Sequence, residues 1–190
     1  MKKLQISISP ATFLLVISMI ATMPLPRLCA CFLAAGIHEL GHIAAAKLLG
    51  IDISCMKLDV LGARLYTSGK LCSYPALALL CLAGPFVNLL SFALLVPLSH
   101  SCVWIEELAL SSLSLCLLNL LPVQGFDGGR TVHAILSSFV GFELCERICT
   151  LLGFFSLFLM WLLSVWLLLR TGTSLTLFVF SCCLFGMLFV

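Results

Sequence analysis

Six apolar stretches, at residues 6–23, 28–49, 75–98, 105–121, 148–169 and 175–190, take up most of this 190-residue chain. Each is close to the roughly 20 residues that a helix needs to cross a bilayer. Backbone in hydrocarbon finds no water to bond, so such runs must satisfy their N–H and C=O groups internally, as helices. The expected fold is an all-α polytopic membrane protein with about six transmembrane helices in a single domain, 1–190. A composition of 62% hydrophobic and 9% charged residues, with mean hydropathy +1.23, excludes an ordinary soluble core. The net charge of +2 and the scattered basic residues exclude a nucleic-acid partner.

Lys2 and Lys3 before the first run resemble the start of a signal peptide, but Pro24 to Arg27 offers no small-x-small cleavage site, so the first run reads as an uncleaved span. With the N-terminus cytoplasmic, Lys2, Lys3, Lys47, Lys57, Arg64, Lys70, Arg130 and Arg147 fall inside, and only Arg27 and Arg170 fall outside. That bias sets the expected orientation. Most of the 11 cysteines lie in apolar runs without Cys-x-x-Cys spacing, where cysteine packs as a small hydrophobe.

The second run contains Gly36-Ile-His-Glu-Leu-Gly-His-Ile43. Ionisable groups in mid-span are costly and mark function by default. On a helix His38 and His42 stack on one face, so both rings can reach one tetrahedral Zn²⁺, while Glu39 points to a neighbouring face. From there its carboxylate can act on a metal-activated water without being a ligand, the division of labour of the His-Glu-x-x-His pattern. Lys47 follows His42 by five residues, or about 7 Å, which places the pair in the cytoplasmic half of its span.

A third ligand must be distant in sequence, because Leu48 stands where a metzincin would have its third histidine. Glu106 and Glu107 open the fourth span at the far side, and Glu143 and Glu146 read as solvated surface. Asp127 remains, in Asn119-Leu-Leu-Pro-Val-Gln-Gly-Phe-Asp-Gly-Gly129, where proline and glycines break the helix and let backbone dip into the protein. The competing reading is an Asp-Gly turn at the membrane surface. Asn119 can bond a substrate carbonyl or a developing oxyanion, or only a neighbouring helix; Asn88, in Gly84-Pro-Phe-Val-Asn88, has the same two readings and ranks lower because Asn119 is nearer to Asp127. His100 and His133 are taken as interfacial. Between the second and third spans, residues 51–66 form a short hairpin or a loop, whose edge can pair with an extended peptide.

Through His38-Glu-Leu-Gly-His42, Gly84-Pro-Phe-Val-Asn88, Asn119-Leu-Leu-Pro122 and Asp127-Gly128, the sequence resembles the site-2 protease family of intramembrane zinc metalloproteases, over nearly its whole length. The six-span layout with a cytoplasmic site looks most like the stage IV sporulation branch, which processes a membrane-associated pro-sigma factor. The resemblance implies one Zn²⁺ per chain held by His38, His42 and Asp127, water activation by Glu39, and substrate or oxyanion contact by Asn119. Phe126 stands where family members often have leucine, and neither a PDZ nor a CBS domain is expected.

The expected activity is zinc-dependent hydrolysis of peptide bonds within or next to transmembrane segments of membrane-bound substrates, such as a tethered transcription or sigma factor precursor. Expected partners are that substrate, the lipid bilayer and a regulatory membrane protein, in a bacterial cell membrane with N-terminus and active site toward the cytoplasm. The alternatives are a membrane zinc carrier and a non-proteolytic metal-binding scaffold. Neither accounts for Glu39, and the two halves of the chain show no internal repeat of the kind common in transporters.

Overall fold

The computed structural model describes residues 10–51, 53–59, 62–67, 73–172 and 175–188. Residues 6–9 and 189–190 of the first and last expected spans lie outside that set, as do the side chains of the 51–66 connection beyond Ile51 and that of His100. The elements are α1 (Pro10–Thr22), α2 (Leu25–Leu48), β1 (Ile53–Asp59), β2 (Gly62–Thr67), α3 (Tyr74–Leu95), a 3₁₀ turn (Val96–Ser101), α4 (Val103–Asn119), α5 (Asp127–Leu136), α6 (Phe142–Thr171) and α7 (Leu175–Leu188). The connection between the second and third spans is a hairpin: β1 and β2 pair antiparallel, with Met56 opposite Leu65 and a register irregularity between Ile53 and Cys55.

The helix ends follow from local chemistry. Pro26 and Pro75 sit in the first turns of α2 and α3, where a missing N–H costs nothing. Past α2, Gly50 takes φ 63°, and Gly172 caps α6 at φ 66°, the left-handed conformation that glycine adopts without a Cβ penalty. Lys47 and Arg170 complement the negative dipole ends of the same two helices.

Each expected run holds a helix over its described residues; against the six spans expected, three helical stretches, Leu25–Leu48, Tyr74–Ser99 and Phe142–Thr171, are long and apolar enough to cross a bilayer. The 17 residues of α4 reach about 25 Å, short of a hydrocarbon core of about 30 Å. Besides shifts of one to three residues at several helix ends, two differences from expectation bear on the site. The fifth span begins at Phe142 rather than at 148, because the polar segment with Glu143, Glu146 and Arg147 forms its first two turns. A seventh helix, α5, starts at Asp127, so Gly128 and Gly129 are helical instead of prolonging the break.

Helix α3 is central, packed against α2, α4 and α5, and α2 also packs against α4; α7 bridges α6 and α1. Close approach of α2 to α3 depends on Gly41, where a Cβ would lie 2.8 Å from the Ala83 carbonyl and 3.2 Å from the Cα of Gly84. At the opposite end of α2, Arg27 forks onto Glu107 of α4 through Nε (2.8 Å) and Nη2 (2.9 Å). That pair joins two helix N-termini, so α2 and α4 run parallel. The chain leaving α4 therefore emerges at the end of the bundle where His42 lies.

What it meets there is apolar. Val123 and Phe126 of the α4–α5 connection are buried with Leu157 and Met160 of α6 and Leu184 of α7, flanked by Leu118, Leu121, Phe180 and Phe185. The connection is thereby seated in the protein, and irregular backbone at this depth is tolerated for that reason. The nine described cysteines are free thiols, with Cys81, Cys116, Cys145 and Cys149 buried as small core residues.

Candidate metal centre

Two consecutive turns of α2 place His38 and His42 on the face turned to α3, both 5% exposed, with ring centroids 4.8 Å apart and planes at 80°. Asp127 arrives from the other side. After Val123 N–H bonds the Leu121 carbonyl and Gly125 turns the chain at φ 102°, the Phe126 carbonyl accepts the Arg130 N–H and α5 begins. Asp127 is the first residue of α5, where a carboxylate is favoured by the helix dipole, and it is 7% exposed. Its depth relies on the two glycines that follow. A Cβ on Gly128 would collide with the Leu120 carbonyl, and one on Gly129 with the Val123 carbonyl.

The three side chains converge. Asp127 Oδ2 lies 2.9 Å from His38 Nε2 and 3.1 Å from His42 Nε2, and the two Nε2 atoms are 3.1 Å apart. Ligands about 2.0–2.1 Å from a tetrahedral zinc would be separated by roughly 3.3 Å, within a few tenths of an ångström of this triangle. The protonation chemistry fits as well. His42 Nδ1 is 2.9 Å from the Leu80 carbonyl, which only accepts; Nδ1 therefore carries hydrogen, and a neutral His42 turns an Nε2 lone pair toward the triangle. His38, His42 and Asp127 can thus hold one metal ion.

Helix α3 supplies the opposite wall. Leu80, Gly84 and Asn88 are spaced by four and share one face. The Leu80 carbonyl meets His42, and the fully buried Asn88 amide lies 3.2 Å from His38 Nδ1. A Cβ on Gly84 would collide with His42 Nε2 and lie 2.7 Å from His38 Nε2. Sequence order ranked Asn88 below Asn119 because Asn119 is nearer to Asp127 along the chain; helix packing places Asn88 against His38. Asn119 is half-buried at the end of α4 and donates its amide to the Leu115 carbonyl one turn back. The signal for Asn88 was available in its spacing from Gly84, while the Leu80 carbonyl carries no side-chain signature.

Glu39 is half-buried on α2, between the two histidines in sequence and on a neighbouring face. His133 and Glu146, read as interfacial and solvated, pair with each other at 3.0 Å across α5 and α6, and Gln124 reaches the other Glu146 oxygen at 3.4 Å. They brace the connection that carries Asp127 and stand apart from the metal centre.

Neither a family model nor a curated protein sequence matches the chain. Among solved structures, its fold is similar to that of the site-2 protease from Methanocaldococcus jannaschii, with 23% identity, a TM-score of 0.66 and an alignment covering 96% of this chain and 88% of that one.

Proposed function

We propose that the chain is an intramembrane zinc metalloprotease that cleaves peptide bonds within or next to transmembrane segments. The observation that carries this reading is the buried triangle of His38, His42 and Asp127 with Glu39 beside it on the same helix turn. The fold shared with a solved site-2 protease supports it.

In this reading His38 and His42 present Nε2 lone pairs, and Asp127 presents a carboxylate that neutralises one unit of the ion's charge. Zinc, when bound, supplies an acidified water and polarises a carbonyl. Glu39 takes the proton of the attacking water and returns it to the leaving amine, so that its carboxylate ends each turnover as it began. Asn119 spends one N–H of its amide on the Leu115 carbonyl, and the second N–H is the one that could meet a substrate carbonyl. Because a substrate helix has its carbonyls bonded internally, it must unwind locally to be cut. Helix-breaking residues near the scissile bond favour this step.

The remaining parts of the reading are the bacterial cell membrane, a cytoplasmic N-terminus and site, a regulatory membrane partner, and a tethered transcription or sigma factor precursor as substrate. They rest on charge bias and motif resemblance. The test is a comparison of new protein N-termini in cells expressing the wild type or Glu39→Gln. Ends that map to membrane segments and occur only with the wild type are expected. Identical ends in both, with zinc bound to both, would replace this reading with the zinc carrier or the scaffold.

A further inference from the structure

Asn88 is 0% exposed, its amide nitrogen is 3.2 Å from His38 Nδ1, and its Oδ1 has no hydrogen-bond partner among the described residues. An N–H aimed at Nδ1 makes that nitrogen the acceptor and moves the ring proton to Nε2, the atom that faces His42 and Asp127 in the metal triangle. A His38 in that tautomer has no lone pair for a metal. The two ends of an amide have nearly the same shape, so the hydrogen-bond network decides which end faces the ring.

His42 shows what the network requires. Its Nδ1 meets the Leu80 carbonyl, which fixes the hydrogen on Nδ1 and the lone pair on Nε2. For His38 to bring a matching lone pair, an acceptor must stand opposite its Nδ1. Asn88 Oδ1 is such an acceptor, eight residues along the same face of α3. We infer that in the metal-bound protein Asn88 Oδ1 accepts the Nδ1–H of His38, making Asn88 a positioning residue that sets the ligand tautomer of His38. A single α3 face then orients both imidazoles, one through a backbone carbonyl and one through an amide. This assignment rests on the metal-binding part of the reading above and is independent of whether peptide bonds are cleaved.

The experiment titrates detergent-solubilised full-length protein with Co²⁺ and reads the d–d absorption of the wild type, Asn88→Asp and Asn88→Leu. Thermal unfolding of each metal-free protein is followed alongside. Asn88→Asp keeps an acceptor opposite Nδ1 and is expected to bind Co²⁺ at least as tightly as the wild type. Asn88→Leu, of similar volume without an acceptor, is expected to bind about 10–100-fold more weakly. Equal affinity in Asn88→Leu and the wild type would overturn the assignment. So would an Asn88→Asp protein as weak as Asn88→Leu, since an amide that donates cannot be replaced by a carboxylate. A wild type that binds no Co²⁺ would remove the metal centre and this assignment together, whereas the expected affinity order without any peptide cleavage would leave Asn88 in place and remove only the protease reading.

Discussion

Gly84 faces His42 with bare backbone: a methyl group there would collide with Nε2 of His42 and lie 2.7 Å from Nε2 of His38. The wall of the metal centre on α3 is therefore defined by a missing side chain, and the space is kept for whatever joins the two imidazoles.

Gly84→Ala should accordingly reduce bound zinc from one per chain to near zero. Forcing a methyl into a packed site typically costs about 1–3 kcal/mol, so a lowered unfolding temperature in detergent is expected as well. Metal content by mass spectrometry on purified protein checks this, and a Gly84→Ala protein retaining a full equivalent of zinc would contradict the geometry.

Glu39 and Asp127 are both carboxylates, yet their substitutions should separate. Glu39→Gln is expected to keep zinc and lose about 10²–10⁴-fold in peptide hydrolysis, the usual contribution of a positioned general base. Asp127→Asn should weaken the metal itself, by more than the roughly 10–100-fold seen when only an outer-shell partner is lost. Parallel zinc titrations and cleavage assays in proteoliposomes decide it; loss of metal from the Glu39 variant would make Glu39 a ligand instead.

The seat of Asp127 can be probed with glycines of contrasting surroundings. Gly128→Ala and Gly129→Ala press a methyl onto the Leu120 and Val123 carbonyls and should lose both stability, by about 1–3 kcal/mol, and zinc. Gly153 of α6 is nearest to the Pro122 carbonyl at 3.4 Å, an ordinary contact, so Gly153→Ala should be neutral or gain up to about 1 kcal/mol from helix propensity. Thermal unfolding of the three variants tests the contrast, and equal losses in all three would refute it.

Arg27 is paired with Glu107 at the far end of the bundle, with its side chain half exposed. Arg27→Ala should cost no more than about 1 kcal/mol and leave zinc affinity unchanged. A large loss of metal would mean that the parallel alignment of α2 and α4 depends on this pair rather than on the packing around Ala30 and Ala34.

Much of the arrangement was legible in the sequence because its causes are local. Apolar length located a helix in each of the six runs, three of them with the length to cross a bilayer, and the spacing of His38 and His42 placed both rings on one face. The difficulty began where three-dimensional packing decides. Gly128 and Gly129 read as helix breakers, but they are helical, and their small size serves contact with the preceding turn. Asn119 looked nearer to the site than Asn88 because it is close to Asp127 along the chain. The packing of α3 against α2 brings Asn88, 50 positions from His38, to its ring, a contact that distance along the chain does not reveal. Glu146 looked solvated because polar residues cluster around it; its partner His133 is 13 positions earlier, on a helix that proline and glycine signals had hidden.

The seat of the α4–α5 connection also orders events during synthesis. His38 and His42 precede the connection in the chain, on α2, whereas Val123 and Phe126 rest on Leu157, Met160 and Leu184, which all follow it. A nascent chain that has released only α5 carries all three ligand side chains without the surface that holds the third in place. Firm seating of Asp127 therefore waits for α6 and α7, and the three-residue cluster closes only once both have packed against the connection.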